Sequence, residues 1–514
     1  MSSPIPVIFG TDRQFARVRE LLHRTNYTAE GVAERGGARS IYEFKAIYEG
    51  RTVGLELTDG LDVLIRLFMD SMAVDQAAVR QLLGPEGVEA LLALGLLVPG
   101  AAAPGTWEAP MLLYPAEGFW LISDADANPA RGNLATTRQD VVYPAVTRNT
   151  GRFIAFQPSR PCDQMLELCG GTGLAALRAS AFARKSWTAD ITARATACAD
   201  FNIRLNGLTN VKAVEGDLYE PVGDETFDLI VAHPPYVPAL TENKLIFRDA
   251  GQDGEQITRR IIEGAPRYLR PGGRLYCLCQ ATDRKGALLE TRVRGMLGEA
   301  EAEFDVVLVT MQEYDPLEYY TRAAVMGRET YASIGDWYQC FQSMEVERLV
   351  YGLIVLQRHR SAAPTITVRR QVAPEISPRE VDWLLEWEAV VRAPGMPGAL
   401  LEARPAAAPG VSLMMSLRQQ GEEWQPAEVA MGTQWPFMLR VDTPVWAATL
   451  LSRADGKATV RDHLEFFGSA GIIQGDEGAR SFLQLVQFLI SAGILTVASH
   501  PVPAIPSSFA PGKS

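Results

Sequence analysis

Leu166-Glu-Leu-Cys-Gly-Gly-Thr-Gly173 is an apolar strand that ends in an acidic residue and a glycine turn. About sixty residues later, Asp228-Leu-Ile-Val-Ala-His-Pro-Pro-Tyr236 is a second apolar strand, opening into a stiff proline-proline-aromatic loop. Around this pair, short β-rich runs alternate with stretches of helical apolar spacing, which predicts an α/β sheet. Strands are expected over 164–168, 186–190, 211–215, 227–232, 273–280, 304–310 and 349–357. A helix is expected over 192–206, closed by Gly207. Another is expected where Ile257, Ile261, Ile262, Ala265 and Leu269 repeat, ended by Pro271-Gly-Gly273. An insertion rich in aromatics (Tyr314, Tyr319, Tyr320, Tyr331, Trp337, Tyr338 and Phe341) separates the sixth and seventh strands.

The flanks read differently. Leu61, Leu64, Ile65 and Phe68 repeat at helical spacing, as do Val88, Leu91 and Leu92. A β-like pair, 111–114 and 119–122, then turns at Ala116-Glu-Gly118. Helices followed by a hairpin resemble a winged helix. The C-terminal part repeats the theme with apolar runs at 445–451 and 482–490, then Gly493-Ile-Leu-Thr-Val497. Small-residue breaks at 100–105, 361–364 and 405–410 mark linkers. The chain therefore divides into an N-terminal winged-helix-like domain (1–133), a central domain (134–360), a linker region (361–410), a C-terminal winged-helix-like domain (411–499) and a disordered, proline-rich tail (500–514).

The chain has 514 residues, 47% hydrophobic and 21% charged, as a globular protein of several domains has. Its longest apolar stretch, 90–104, is broken by Gly95, Pro99 and Gly100, so no membrane span is expected. The N-terminus carries Asp12, Arg13, Arg17 and Arg19 and shows no apolar signal core. Six cysteines without a CxxC pair suit free thiols in a reducing cytosol, and a cytoplasmic location is expected. His359 and His463 lack ligand spacing, and no metal is expected. The formal charge of -12 argues against a basic nucleic-acid surface. Residues 51–100 carry three basic against seven acidic side chains, and 441–500 four against six, so the flanks read as protein-interaction, dimerisation or substrate-capping modules.

The glycine turn and the acidic strand ends describe a cradle for a phosphate-free nucleoside cofactor. Gly171 and Gly173 lack a Cβ and permit close backbone approach. Glu167 ends the first strand, where open α/β sheets bind ligands. Asp190 ends the second strand and is placed to accept the ribose hydroxyls, and Asp217, after the third, to accept the adenine amino group. No G-x-G-x-x-G opens the next helix, which disfavours a dinucleotide. S-adenosyl-L-methionine is the cofactor expected, on a seven-stranded Rossmann-like methyltransferase sheet. Asn202 and Asn206 read as helix-surface residues, and Tyr143 to Thr150 as a loop whose Thr147 and Thr150 are candidate donors to the cofactor. Trp337 and Tyr338 are candidates for a lid over the acceptor or for anchors of the insertion.

His233-Pro-Pro-Tyr236 resembles the N-P-P-Y loop of amino methyltransferases, and its surroundings resemble the HemK/PrmC-like glutamine methyltransferases. Glu167-Leu-Cys-Gly-Gly-Thr-Gly173 is similar to their D-L-C-T-G-S-G turn, and Asp249-Ala-Gly-Gln-Asp-Gly254 to their D-G-G-x-D-G segment. The resemblance covers the middle third to half of the chain, and neither flank is similar to their helical substrate domain. It implies a loop that holds a planar NH2 group: the Pro234 carbonyl accepts, Pro235 stiffens and Tyr236 stacks. Position 233 departs from the pattern. Neutral imidazole offers one acceptor and one donor where asparagine offers more, so His233 is either a positioning group or a general base. The reaction expected is methylation of a nitrogen acceptor in a protein, peptide or small molecule. The alternatives are RNA or DNA base N-methylation, small-molecule O- or S-methylation, and a non-catalytic cofactor-binding interaction protein. A homo-oligomer is compatible with the flanks.

Overall fold

A computed structural model describes residues 4–43, 56–127, 138–239, 246–325, 331–372, 377–392 and 395–506. The boundary expected between residues 133 and 134 and the last eight residues of the expected tail lie outside them. The chain falls into two compact units. The first comprises Met1–Glu301, Asp315–Leu349 and Leu356–Ser361; the second comprises Ala302–Tyr314, Val350–Val355 and Ala362–Ser514.

In the first unit, β1 (Cys162–Leu168), β2 (Ala183–Asp190), β3 (Val211–Glu215), β4 (Phe227–Ala232) and β5 (Leu269–Arg284) pair in parallel, in the order β5-β4-β1-β2-β3. The order reverses beside β1, and the carboxyl ends of β1 and β4 flank that switch point, where such sheets leave a crevice. Strand and helix alternate because β-branched and apolar runs are cut by glycine turns and polar caps. Helix α2 (Leu174–Ala179) starts at Gly173, which is left-handed at φ 79°. Helix α3 (Ala193–Leu205) is capped by Thr192, whose side chain accepts from the Ala195 N–H. Helix α4 (Gln256–Tyr268) buries Ile261, Ile262 and Ala265 and leads into β5. Upstream, α1 (Arg148–Ala155) begins at Thr147, inside the stretch expected as loop. Its Thr-x-x-Thr start and the Phe153-Ile154 pair are the local signals for a short amphipathic helix.

The N-terminal residues form helices, among them Asp12–Arg24 and Pro85–Ala93, and an antiparallel hairpin of Met111–Ala116 with Phe119–Asp124. These belong to the first unit together with the central sheet. Asn202 and Asn206 do not lie on an open helix surface: Asn202 is fully buried, and both amides bond the backbone of the hairpin. The aromatic insertion forms helices Pro316–Val325 and Tyr331–Ser343, with Trp337 stacked on Tyr320 at 4.6 Å and on Phe341 at 5.7 Å.

In the second unit, β6 (Phe304–Tyr314) pairs in parallel with Thr367–Gln371. Its core gathers Trp387, Phe467, Phe482, Val486 and Leu489. The region expected as linker carries a helix, Pro378–Val391, because Ser377 and Glu380 form a capping box ahead of buried Val381, Leu384, Leu385 and Trp387. The expected tail opens on His500, which stacks between Trp383 at 4.8 Å and Trp387 at 5.2 Å. A long hairpin, Ser412–Gln420 with Glu423–Thr433, leaves Leu413, Met414, Met415, Leu417 and Trp424 exposed.

Candidate active site

A cavity of about 530 Å³ opens at the switch point, and every residue proposed for the site except Gly173 lines it. Glu167, Gly171, Asp190 and Asp217 line it together with His233, Pro234, Pro235 and Tyr236. Gly173 is absent from the lining, and a Cβ there would stand 3.2 Å from the Ala199 Cβ and 3.3 Å from the Thr188 methyl.

Glu167 lines the cavity with both carboxyl oxygens already engaged. They accept the N–H groups of Ala175 at 3.1 Å and Ala176 at 3.0 Å, so the side chain caps α2 from below. Burial pushes this carboxyl up to about 7, against the opposing pull of those two N–H groups and of Thr188. These two bonds set the turn, and each oxygen keeps a further lone pair on a side chain that lines the cavity. The turn itself is shaped by Cys169 and Gly171, both left-handed at φ 56°, and by a Gly173 N–H to Gly170 carbonyl bond of 2.8 Å.

Asp190 is anchored from two sides. One oxygen accepts the Gly171 N–H at 2.9 Å, and the other accepts the Thr192 N–H at 3.0 Å and its hydroxyl at 3.2 Å. Burial raises its pKa and these donors lower it. Asp217, expected to accept the adenine amino group, bonds Arg260 at 2.8 Å. A Cβ built on Gly171 meets nothing within 4 Å, so the space before the turn is open. Among the described residues the cavity holds one basic side chain, Arg248. An open backbone face, a fixed carboxylate and little positive charge fit a nucleoside cofactor that carries no phosphate.

On the acceptor side, His233 is stacked between Phe153 at 5.3 Å and Tyr236 at 5.8 Å, and its Nε2 has no hydrogen-bond partner. Burial lowers its pKa to about 4. Imidazole is therefore neutral above about pH 5, since a histidine in water titrates near 6.5. Of the two roles left open by the sequence, this geometry favours the positioning group over the general base. Protonation in the unfolded chain precedes protonation in the folded one, so this group's contribution to stability is lost as pH falls from 6.5 through 4. Turnover is accordingly expected to lack an acid limb centred near pH 6.5. A pH–kcat profile checks this, and a limb there that vanishes in His233→Gln would restore the general base.

The loop is held by its neighbours. Val237 N–H donates to the Arg248 carbonyl at 2.9 Å, Ala250 N–H to the Val237 carbonyl at 3.0 Å, and Ala239 N–H to the Gly251 carbonyl at 2.9 Å. Asn149 donates to the Tyr236 hydroxyl at 3.1 Å, and Tyr143 stacks on Phe247 at 5.2 Å over the cavity. Tyr143 and Asn149 fall in the 143–150 stretch expected as loop, whereas Phe153 and Phe247 are not among the expected site residues, although Phe153 is legible as the apolar face of a capped helix. Thr147 and Thr150 line the cavity as the cap of α1, with their hydroxyls 3.1 Å apart. Trp337 and Tyr338 are absent from the described lining, and Trp337 packs within its own helical insertion.

Residues 153–307 match the family described as methyltransferase small domain. The chain is 40% identical over 128 residues to a ribosomal protein uL3 glutamine methyltransferase of Bradyrhizobium diazoefficiens, covering 22% of this chain and 40% of that one. It is 41% identical over 89 residues to a release factor glutamine methyltransferase of Geobacter sulfurreducens, covering 15% and 31%. A Methanocaldococcus jannaschii protein, provisionally named a protein N5-glutamine methyltransferase, is 33% identical over 149 residues, which cover 28% of this chain and 75% of that one. The chain thus spans well under half the length of the first two relatives.

Proposed function

The chain belongs to the class I S-adenosylmethionine-dependent methyltransferases of the HemK/PrmC-like group, and from that premise we propose that it methylates a nitrogen acceptor of a protein or peptide held by His233-Pro-Pro-Tyr236. One observation supports this reading: the glycine turn with Asp190 and the stiff aromatic loop line a single cavity. When bound, the cofactor supplies an electrophilic methyl carbon. Asp190 and the Gly171 face hold its ribose and methionine end, and Asp217 takes the adenine side. The Pro234 carbonyl and the free Nε2 of neutral His233 orient the acceptor's N–H groups, while Tyr236 offers a face to its plane. Catalysis is then mainly positioning. The relatives' names favour a glutamine amide in a protein.

A second reading, a small planar acceptor, is favoured by the rings around the cavity: Tyr143, Phe153, His233, Tyr236 and Phe247. Nucleic acid is disfavoured by the acidic balance of the chain. The winged-helix flanks complete the proposal, supported by the helices-then-hairpin order of the N-terminal part; Thr367–Gln371, paired with Phe304–Tyr314, is a strand beyond the seven expected. No described helix is long and apolar enough to cross a membrane, and the free thiols suit a cytoplasmic setting.

Incubation with methyl-labelled cofactor and cell extract, fractionated into protein, RNA and small molecules, tests the acceptor class. Label in protein supports the main reading, and label confined to RNA or to small molecules overturns it. His233→Ala is expected to cut turnover about tenfold or more while leaving cofactor affinity nearly intact. Equal loss of both, measured by titration and by initial rate, would remove His233 from the acceptor slot.

A further inference from the structure

The cavity is lined on one side by Val141, Val142, Tyr143 and Ala145, a stretch that enters neither the sheet nor α1. What holds it comes from the N-terminal hairpin. Asp124, the last residue of Phe119–Asp124 and almost fully buried, donates its N–H to the Val142 carbonyl at 3.1 Å and accepts the Val142 N–H on its carboxylate at 2.8 Å. The Tyr114 hydroxyl, on the paired strand, accepts the Ala145 N–H at 2.8 Å. The same Asp124 carboxylate forms a buried ion pair with Arg194, whose Nε lies 2.8 Å away. Arg194 is the second residue of α3 and stands two residues after Thr192, which lines the cavity with Asp190 and Ile191.

The outer edge of that hairpin strand continues onto α3 through side-chain amides. Trp120 N–H donates to Asn206 Oδ1 at 3.0 Å, and Asn206 Nδ2 donates back to the Trp120 carbonyl at 2.7 Å. Ile122 N–H donates to Asn202 Oδ1 at 2.7 Å. Asn202 Nδ2 then donates to the carbonyl of Thr172, inside the glycine turn, at 3.0 Å. Trp120, Ile122 and Asp124 thus form one ladder whose last two rungs end on residues that line the cavity. Its first rung, Asn206, ends on none.

We infer that the N-terminal hairpin braces the 141–145 wall of the ligand site and that Asp124 and Tyr114 are positioning residues for that wall. The inference rests on reading the cavity as the cofactor and acceptor site. A carboxylate that fixes both the wall strip and the first turn of α3 ties that strip to the Asp190 end of the cavity. Local charge-assisted bonds in a buried setting are strong enough for their loss to be read as altered ligand affinity.

The test uses the full chain with Asp124→Asn, Tyr114→Phe and Asn206→Ala. Affinity for S-adenosylhomocysteine is measured by titration calorimetry, stability by thermal unfolding, and amide exchange of Val142, Tyr143 and Ala145 without ligand. Asp124→Asn and Tyr114→Phe are expected to weaken affinity about tenfold and to speed exchange of those amides. Asn206→Ala is expected to lower the melting temperature yet leave both readouts unchanged. Unchanged exchange in Tyr114→Phe, or affinity losses that merely follow melting temperature across the three variants, would overturn the inference. Tyr114→Phe keeps the ring in place and decides the matter should Asp124→Asn fail to fold. Absence of ligand binding by the unaltered chain would count against the cofactor reading instead, and the exchange data would still decide the role of the wall.

Discussion

Gly254→Ala is expected to cut turnover by about a hundredfold while leaving cofactor affinity within a factor of about two. Gly254 is left-handed at φ 73°, and a Cβ there would stand 2.5 Å from the Tyr236 carbonyl oxygen and 3.0 Å from Pro238. The left-handed conformation alone costs alanine about 1–2 kcal/mol. The collision is with backbone, so no side-chain rotation relieves it. The 249–254 segment is also tied to the loop by the Val237–Ala250 and Ala239–Gly251 bonds, and a shift at 254 must move Tyr236. Displacing a positioning group by a fraction of a bond length costs rate far more than binding. Initial rates with labelled cofactor and the acceptor fraction, beside a cofactor titration, check this. Parallel loss of affinity and rate would mean that the segment serves the cofactor half as well.

The second large effect is expected in the other half. Asp190→Ala should weaken S-adenosylhomocysteine binding by more than about a hundredfold, the equivalent of two charge-assisted hydrogen bonds. The substitution removes any acceptor for ribose hydroxyls. It also strands the Gly171 N–H, so the turn loses the bond that fixes its left-handed residue. Asp190→Asn keeps one acceptor oxygen and should fall between the two. Calorimetric titration reads this directly, and an Asp190→Ala affinity within about threefold of the unaltered chain would place the ribose elsewhere.

Much of this arrangement is legible in the residues. The strands at 211–215 and 227–232 begin and end where expected, because breakers bound each apolar run: Gly216 after the first, the two prolines after the second. The cradle and the loop are legible because each pairs a strand end with residues that cannot continue the strand. The capping work of Glu167 is not, since an acidic residue at that position serves equally to face a ligand or to hold the next helix. Asn202 and Asn206 read as surface because their partners, Ile122 and Trp120, lie 80 and 86 residues earlier. Periodicity carries no signal for a side-chain amide that stands in for a neighbouring strand. A separation of 70 residues hides Asp124 behind Arg194, and the wall is hidden because its residues 141–145 form no regular element.

Gly170 and Gly171 are adjacent, yet they are glycines for opposite reasons. At Gly170 a methyl group would fall 1.9 Å from the Thr188 hydroxyl, on a backbone that any residue adopts; at Gly171 it would fall into emptiness, on a backbone of the wrong hand for an L-residue. The first position is a question of room, the second of chirality. Residues suited to a left-handed turn, asparagine foremost, therefore belong to the chemical vocabulary of the second site and not of the first.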